Sequence, residues 1–76
     1  MERKLHIQRL YRHFKGNLYY VIMEAIDSET QEAVVVYQAL YGDYKTYVRP
    51  KEMFLSKVDT IKYPNVSDEY RFTLVE

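Results

Sequence analysis

The stretch AVVVYQALYGDYKTYVRPKEMF, residues 33–54, decides the fold. It holds an apolar β-branched run, a Gly-Asp turn, a second extended piece and a proline-started helical turn. In an extended chain, side chains alternate between two faces. Over residues 33–41, Val35, Tyr37, Ala39 and Tyr41 fall on one face, and Val34, Val36, Gln38 and Leu40 on the other. Both faces are mostly apolar, which suits a central strand covered on both sides. The run is too short and too β-branched for a helix. Gly42 accepts positive φ at little cost and Asp43 can bond nearby backbone, so residues 41–44 read as a turn. Thr46, Tyr47 and Val48 resume the extended pattern. Pro50 ends it, because proline cannot donate to a ladder. Proline also suits the first position of a helix, so residues 50–55 read as one helical turn.

Upstream, residues 11–14 read as a first strand, Lys15-Gly16-Asn17 as a turn and residues 18–26 as a strong strand, together a hairpin. In the second of these strands Tyr19, Val21, Met23 and Ala25 make one apolar face, and Glu24 marks the other as wetter. Residues 27–32 are short polar side chains that bond their own backbone, a loop closing another hairpin. The Ser28 to Gln31 spacing matches a capping box, but there is no room for a full helix. Residues 1–10 fit two readings. Leu5 and Ile7 alternate like a strand, and Leu5, Ile7 and Leu10 also share one side of a helix. Their Lys and Arg residues read as a solvated face.

Downstream, Val58, Ile61 and Tyr63 alternate weakly, and Pro64-Asn65 and Ser67-Asp68 mark a loop. Residues 69–75 form a clean last strand, with Tyr70, Phe72 and Leu74 on one face and Arg71 and Thr73 on the other. The sum is a mainly β fold, a small SH3-like barrel of about five antiparallel strands with one helical turn before the last. A sheet this small hides its edges by closing on itself. The alternative is an open antiparallel sheet with residues 1–10 packed across it as a helix. At 76 residues the chain is one domain. Residues 1–10 form an N-terminal extension, 11–58 the main body, and 59–76 a C-terminal loop and last strand.

Lys+Arg and Asp+Glu are both 11, so the basic excess typical of a dedicated nucleic-acid binder is absent. The chain has no cysteine, which excludes disulfides, thiolate metal sites and cysteine nucleophiles. No apolar run approaches the roughly 20 residues that span a bilayer. The start, MERKLHIQRL, lacks the apolar core of a signal peptide, so a cytoplasmic protein without membrane association is expected.

Four segments carry a resemblance. YRHFKG (residues 11–16), SET (28–30), VVYQALYG (35–42) and VRPKEMF (48–54) agree in order and spacing with a small bacterial family. The chain resembles the family catalogued as domain of unknown function 1653 across residues 11–58. The resemblance implies a compact bacterial domain, standing alone or appended to others, and no settled activity. The family often has a histidine where this chain has Asp27, and a bulky aromatic, often tryptophan, where it has Tyr47. A site built on that histidine is altered here. The extension before Tyr11 is longer than the family norm.

Three constellations could carry chemistry. The first is Arg12, His13, Arg49 and Glu52, with Tyr41 and Tyr47. A histidine near a carboxylate can do acid–base work near neutral pH, and paired arginines can hold a carboxylate or phosphate. The structural alternative pairs Arg49 with Glu52 and packs His13 on its strand. No nucleophile stands beside His13, so no catalytic residue is assigned and no enzyme is expected. The second is the tyrosine set. Tyr19 and Tyr37 are core candidates, whereas Tyr41, Tyr44 and Tyr47 cluster around one turn and reach solvent. Exposed tyrosines beside arginine suit peptide recognition and base stacking on single strands. The plain alternative is a hairpin held by cross-strand aromatic pairs. The third, Glu24, Asp27, Glu29 and Glu32, lacks the glycine and spacing of a calcium loop and reads as a solvated hairpin tip, so no metal or cofactor is expected.

The expectation is a non-catalytic binding or accessory module whose rim of Arg12, His13, Tyr41, Tyr44, Tyr47, Arg49 and Glu52 contacts a protein or peptide. Single-stranded nucleic acid stands second, and a small ligand or a minor enzymatic role around His13 third. A homodimer would follow if the N-terminal extension added a strand to another copy's edge.

Overall fold

The computed structural model describes residues 3–76. Five strands and one helical turn follow in order: β1 (Arg9–His13), β2 (Leu18–Ile26), β3 (Ala33–Ala39), β4 (Thr46–Pro50), α1 (Lys51–Phe54) and β5 (Phe72–Leu74). All neighbours are antiparallel, in the order β4-β3-β2-β1-β5. The three expected hairpins are present. Gly16 turns the first at φ +105° and Gly42 the third at φ +59°. In the second, Asp27 Oδ1 accepts hydrogen bonds from the Glu29 and Thr30 amides. The acidic tip thus organises its own backbone.

Strand β3 is an interior strand between β4 and β2, and the middle place of the sheet belongs to β2. Val35, Tyr37 and Ala39 are buried on the inner face, while Val34, Val36 and Gln38 are half-buried on the outer one. Strand β2 departs from simple alternation. Val21 pairs with Tyr37 but Met23 pairs with Val36, so Ile22 is the extra residue of a β-bulge. The bulge shifts the phase by one. Met23 turns outward, 49% exposed, and Glu24 joins the inner phase opposite Val35. There the Glu24 carboxylate meets Lys51 Nζ of α1 at 2.9 Å. The expected apolar row therefore ends at Val21. A bulge also increases local twist, which curls the sheet around its inner face.

That face holds one cluster of Tyr11, Val21, Val35, Tyr37, Phe54 and Phe72. Phe54 comes from α1 and stacks on Phe72 with ring centroids 4.1 Å apart and planes at 10°.

The sheet is not a closed barrel, contrary to the expectation. No ladder joins its edge strands β4 and β5 among the described residues. Side chains fill the gap instead: Phe54 stacks on Phe72, and the Arg49 guanidinium of β4 lies 5.5 Å from the same ring. Pro50 lacks an amide and α1 begins at once, so the chain leaves β4 before it can reach β5. The backbone meets β5's approach only later. The Val58 amide donates to Glu69 O, and the Arg71 amide to Ser56 O. These contacts, with a single Lys57–Tyr70 bridge, take up residues 69–71, so β5 is shorter than expected.

The N-terminal alternative is also corrected. Residues 3–8 form neither helix nor strand, and residues 1 and 2 lie outside the described part. The segment is a strap. Arg3 donates from Nη1 to Leu55 O (3.0 Å) and from Nη2 to Phe72 O (2.8 Å), with its guanidinium 3.9 Å from the Tyr70 ring. Leu5 packs on the core and the His6 amide donates to the Tyr11 hydroxyl. Arg3 is thus structural, not part of a solvated face. No helix among the described residues is long and apolar enough to cross a membrane.

Candidate functional site: an aromatic face ending in a basic cleft

Residues directly opposite in an antiparallel pair share a face. Tyr47 pairs with Tyr37, and Arg49 with Val35, so both β4 residues point to the inner side. Across the sheet, Tyr11 pairs with Tyr19 and His13 with Phe72, which puts His13 and Tyr19 there too. The inner face beyond the core is therefore a row of aromatic rings. Tyr41 and Tyr19 share a 2.7 Å hydrogen bond between their hydroxyls, with ring centroids 5.6 Å apart. Tyr19 continues edge-on to Tyr37 and Phe72, and Tyr37 meets Tyr47 with the ring planes tilted by 36°. Burial, the Tyr41 hydrogen bond and the nearby Tyr41, Tyr37 and Tyr47 phenols raise the Tyr19 pKa far above that of a free phenol. Tyr19 therefore remains an uncharged phenol at physiological pH.

The row ends at His13, whose ring meets Phe14 at 4.4 Å and Phe72 at 4.9 Å. Beside it opens a cleft of about 280 Å³. His13, Lys15, Arg49, Lys62 and Arg71 line it, between the Phe14 and Tyr63 rings, and Asp59 is the one carboxylate. Asp59 is occupied locally, since its Oδ1 accepts from the Ile61 and Lys62 amides. Lys15 lies 5.3 Å from the Tyr63 ring and, chiefly by hydrogen bonding, holds that phenol's pKa below its ordinary value.

His13 is tuned by its surroundings. Its Nδ1 accepts a hydrogen bond from the Lys15 amide (3.1 Å), so the neutral ring carries its proton on Nε2. Desolvation first, then the charges of Arg49, Lys15 and Arg71, lower its pKa. A histidine whose folded pKa lies below its unfolded value binds fewer protons when folded. Its contribution to stability is present above the unfolded pKa of about 6.5 and is lost as pH falls through the window down to the folded value. Denaturation midpoints at a series of pH values should fall through that window for the native chain. They should fall less for His13→Asn, which keeps an acceptor but cannot titrate. Equal slopes for the two chains would mean that His13 does not couple to folding.

The seven residues expected at the rim divide. His13, Tyr41, Tyr47 and Arg49 come together on the inner face. Arg12 does not: it follows β1 to the opposite face and lies 3.6 Å from Asp68. Glu52 sits across α1 in a separate hollow with Arg3, Lys51 and Lys57, so it neither reaches His13 nor supplies it with a carboxylate partner. Tyr44 stands at the turn tip at φ +56°, 56% exposed, and its ring joins none of the aromatic contacts. Tyr37 is core as expected, whereas Tyr19 is only half-buried and belongs to the face. Lys15, Lys62 and Arg71 were missed. The one signal for Arg71 was its opposition to the apolar face of the last strand, and nothing local linked it to His13.

A family model described as "Protein of unknown function (DUF1653)" matches residues 9–74. The chain belongs to the DUF1653 family. The match begins with β1 and ends with β5, so it takes in the whole sheet and the whole cleft and leaves out the Arg3 strap. A crystal structure of a DUF1653 protein from Bordetella bronchiseptica is similar, with a TM-score of 0.77 and 32% sequence identity, covering 92% of this chain and 87% of that one. A search of curated proteins finds no match. The family assigns no activity, so function has to be argued from the inner face.

Proposed function

We propose that this DUF1653 chain is a non-catalytic binding module whose inner face takes up a short extended peptide. One observation carries the reading: Tyr41, Tyr19 and Tyr47 line one face that runs directly into Arg49 and His13. Rigid aromatic rings bury area at low entropic cost, and arginine adds directional hydrogen bonding. Tyr41 and Tyr47 remain 41% and 42% exposed, so contact area is left for a partner.

The test is selection from a random peptide library followed by affinity measurement. Tyr47→Ala, Tyr41→Ala and Arg49→Ala should each weaken a selected peptide by about tenfold, in the manner of interface anchors. Tyr44→Ala should be silent, because its ring lies outside the row. Silence at all three face positions, or an equal loss at Tyr44, would remove the reading. Single-stranded nucleic acid is the competing outcome, since bases also stack on tyrosine. It would be recognised by oligonucleotide binding that falls steeply with salt.

A further inference from the structure

The cleft at the end of the aromatic row gathers cations from distant parts of the chain. His13 ends β1, Lys15 lies in the β1–β2 turn, Arg49 is on β4, Lys62 is in the turn after Asp59, and Arg71 precedes β5. Like charges brought together raise the free energy of the fold unless something offsets them. The ion pairs of the described residues lie elsewhere: Arg12–Asp68, Lys51–Glu24 and Lys57–Glu69. Within the cleft the only carboxylate is Asp59, and one of its oxygens is already taken by two amides. Charge is therefore unbalanced towards positive.

Two further observations point to a ligand. Arg71 Nε is buried and has no hydrogen-bond partner. A buried donor left unpaired is costly, so native structures supply an acceptor or a solvent molecule. The Arg49 guanidinium lies 5.5 Å from the Phe72 ring centroid and lines the cleft, where its fork of donors suits an oxyanion. The volume of about 280 Å³ lies just below the roughly 300–1,000 Å³ of small-molecule pockets, which suits one charged group and a few attached atoms.

We propose that this cleft is an oxyanion site, taking one phosphate- or carboxylate-type group between Arg71, Arg49 and the Nε2–H edge of His13, with Lys15 and Lys62 closing around it. The inference rests on reading the inner face as a binding face and specifies the chemistry at its end. A bound anion favours the charged imidazole and so opposes the effect of the surrounding cations on His13. The rings packed on His13 are the uncharged Phe14, Tyr19 and Phe72. The Asp59 carboxylate is the one negative charge in the lining, and it does not reverse the effect of Arg49, Lys15 and Arg71 on the imidazole.

The experiment is an NMR titration of the full chain with labelled histidine, using inorganic phosphate and sodium acetate separately, each against sodium chloride of matched ionic strength. His13 should shift saturably with at least one of the two, while exposed His6 serves as an internal control. A pH titration in sulfate, which does not itself titrate near neutrality, should raise the His13 pKa by about half a unit or more. Arg71→Met should weaken binding by about tenfold or more, and Lys62→Ala, on an exposed turn, by several-fold. Arg12→Met should leave it unchanged. A preference for phosphate or for acetate upholds the site and says which chemistry supplies the group. The proposal is overturned if neither anion moves His13 beyond chloride, or if Arg12→Met is as damaging as Lys62→Ala. Its failure is separable from failure of the peptide reading. Peptides that still depend on Tyr47 without anion binding would retain the aromatic face alone, and anion binding without any peptide would retain the cleft alone.

Discussion

Phe54→Ala should destabilise the fold by about 3–5 kcal/mol, the range for deleting a fully buried phenylalanine. Phe54 is 0% exposed and is the only buried residue of α1. Its ring stacks on Phe72 of one sheet edge and meets Tyr11 and Tyr37 edge-on, each at 5.3 Å. With no ladder between β4 and β5, this side chain joins the two edges through the core. The loss therefore includes a cavity and the disconnection of α1 from β5. A chain of this length has roughly 4–11 kcal/mol to lose, at about 0.05–0.15 kcal/mol per residue. The variant should sit close to its unfolding midpoint in water if the native chain is at the low end of that range. Urea denaturation followed by aromatic circular dichroism measures the shift. Phe54→Leu should cost clearly less, because much of the volume returns. A loss under about 1 kcal/mol for Phe54→Ala would mean that the edges are held by something else.

Arg3→Ala should cost about 2 kcal/mol. Arg3 makes two charge-assisted hydrogen bonds, to Leu55 O after α1 and to Phe72 O in β5, and covers the Tyr70 ring. Bonds of this kind are worth about 1.5–3 kcal/mol each, reduced here because the site is only partly buried. The cation–π contact adds a smaller amount. Both carbonyls lie on the open side of the sheet, so the guanidinium bridges the gap that the backbone leaves. Arg3→Lys should recover little, since one ammonium cannot reproduce the planar fork. Lys4→Ala, exposed one residue later, should stay within about 0.5 kcal/mol. Thermal and urea denaturation of the three variants decides the matter, and an Arg3→Ala loss no larger than that of Lys4→Ala would make the strap incidental.

These two expectations concern the same weakness in the architecture. An open five-stranded sheet of short strands leaves two edges exposed to other chains. In this molecule one phenylalanine and one arginine, far apart in the sequence, draw those edges together. That arrangement also creates the candidate site. Phe54 and Arg49 meet the same Phe72 ring, and the cleft beside His13 is lined by Arg49 of one edge and by Arg71 at the approach to the other.

Local sequence was enough for the hairpins, the interior place of β3 and the helical turn after Pro50. Those features rest on local physics: alternation with period two, φ values that glycine reaches and the missing proline amide all act within a few residues. Tertiary structure alone decided the pairing of β5 with β1, the bulge at Ile22 that exchanged Met23 for Glu24, and the strap of residues 3–8. It alone separated Glu52 from His13, and it alone brought Arg71 and Lys62 beside it, whereas the place of Arg12 opposite His13 follows from alternation along β1. The reason is that register and edge contact depend on which distant surfaces pack around Phe54 and Phe72, and no local period records that choice.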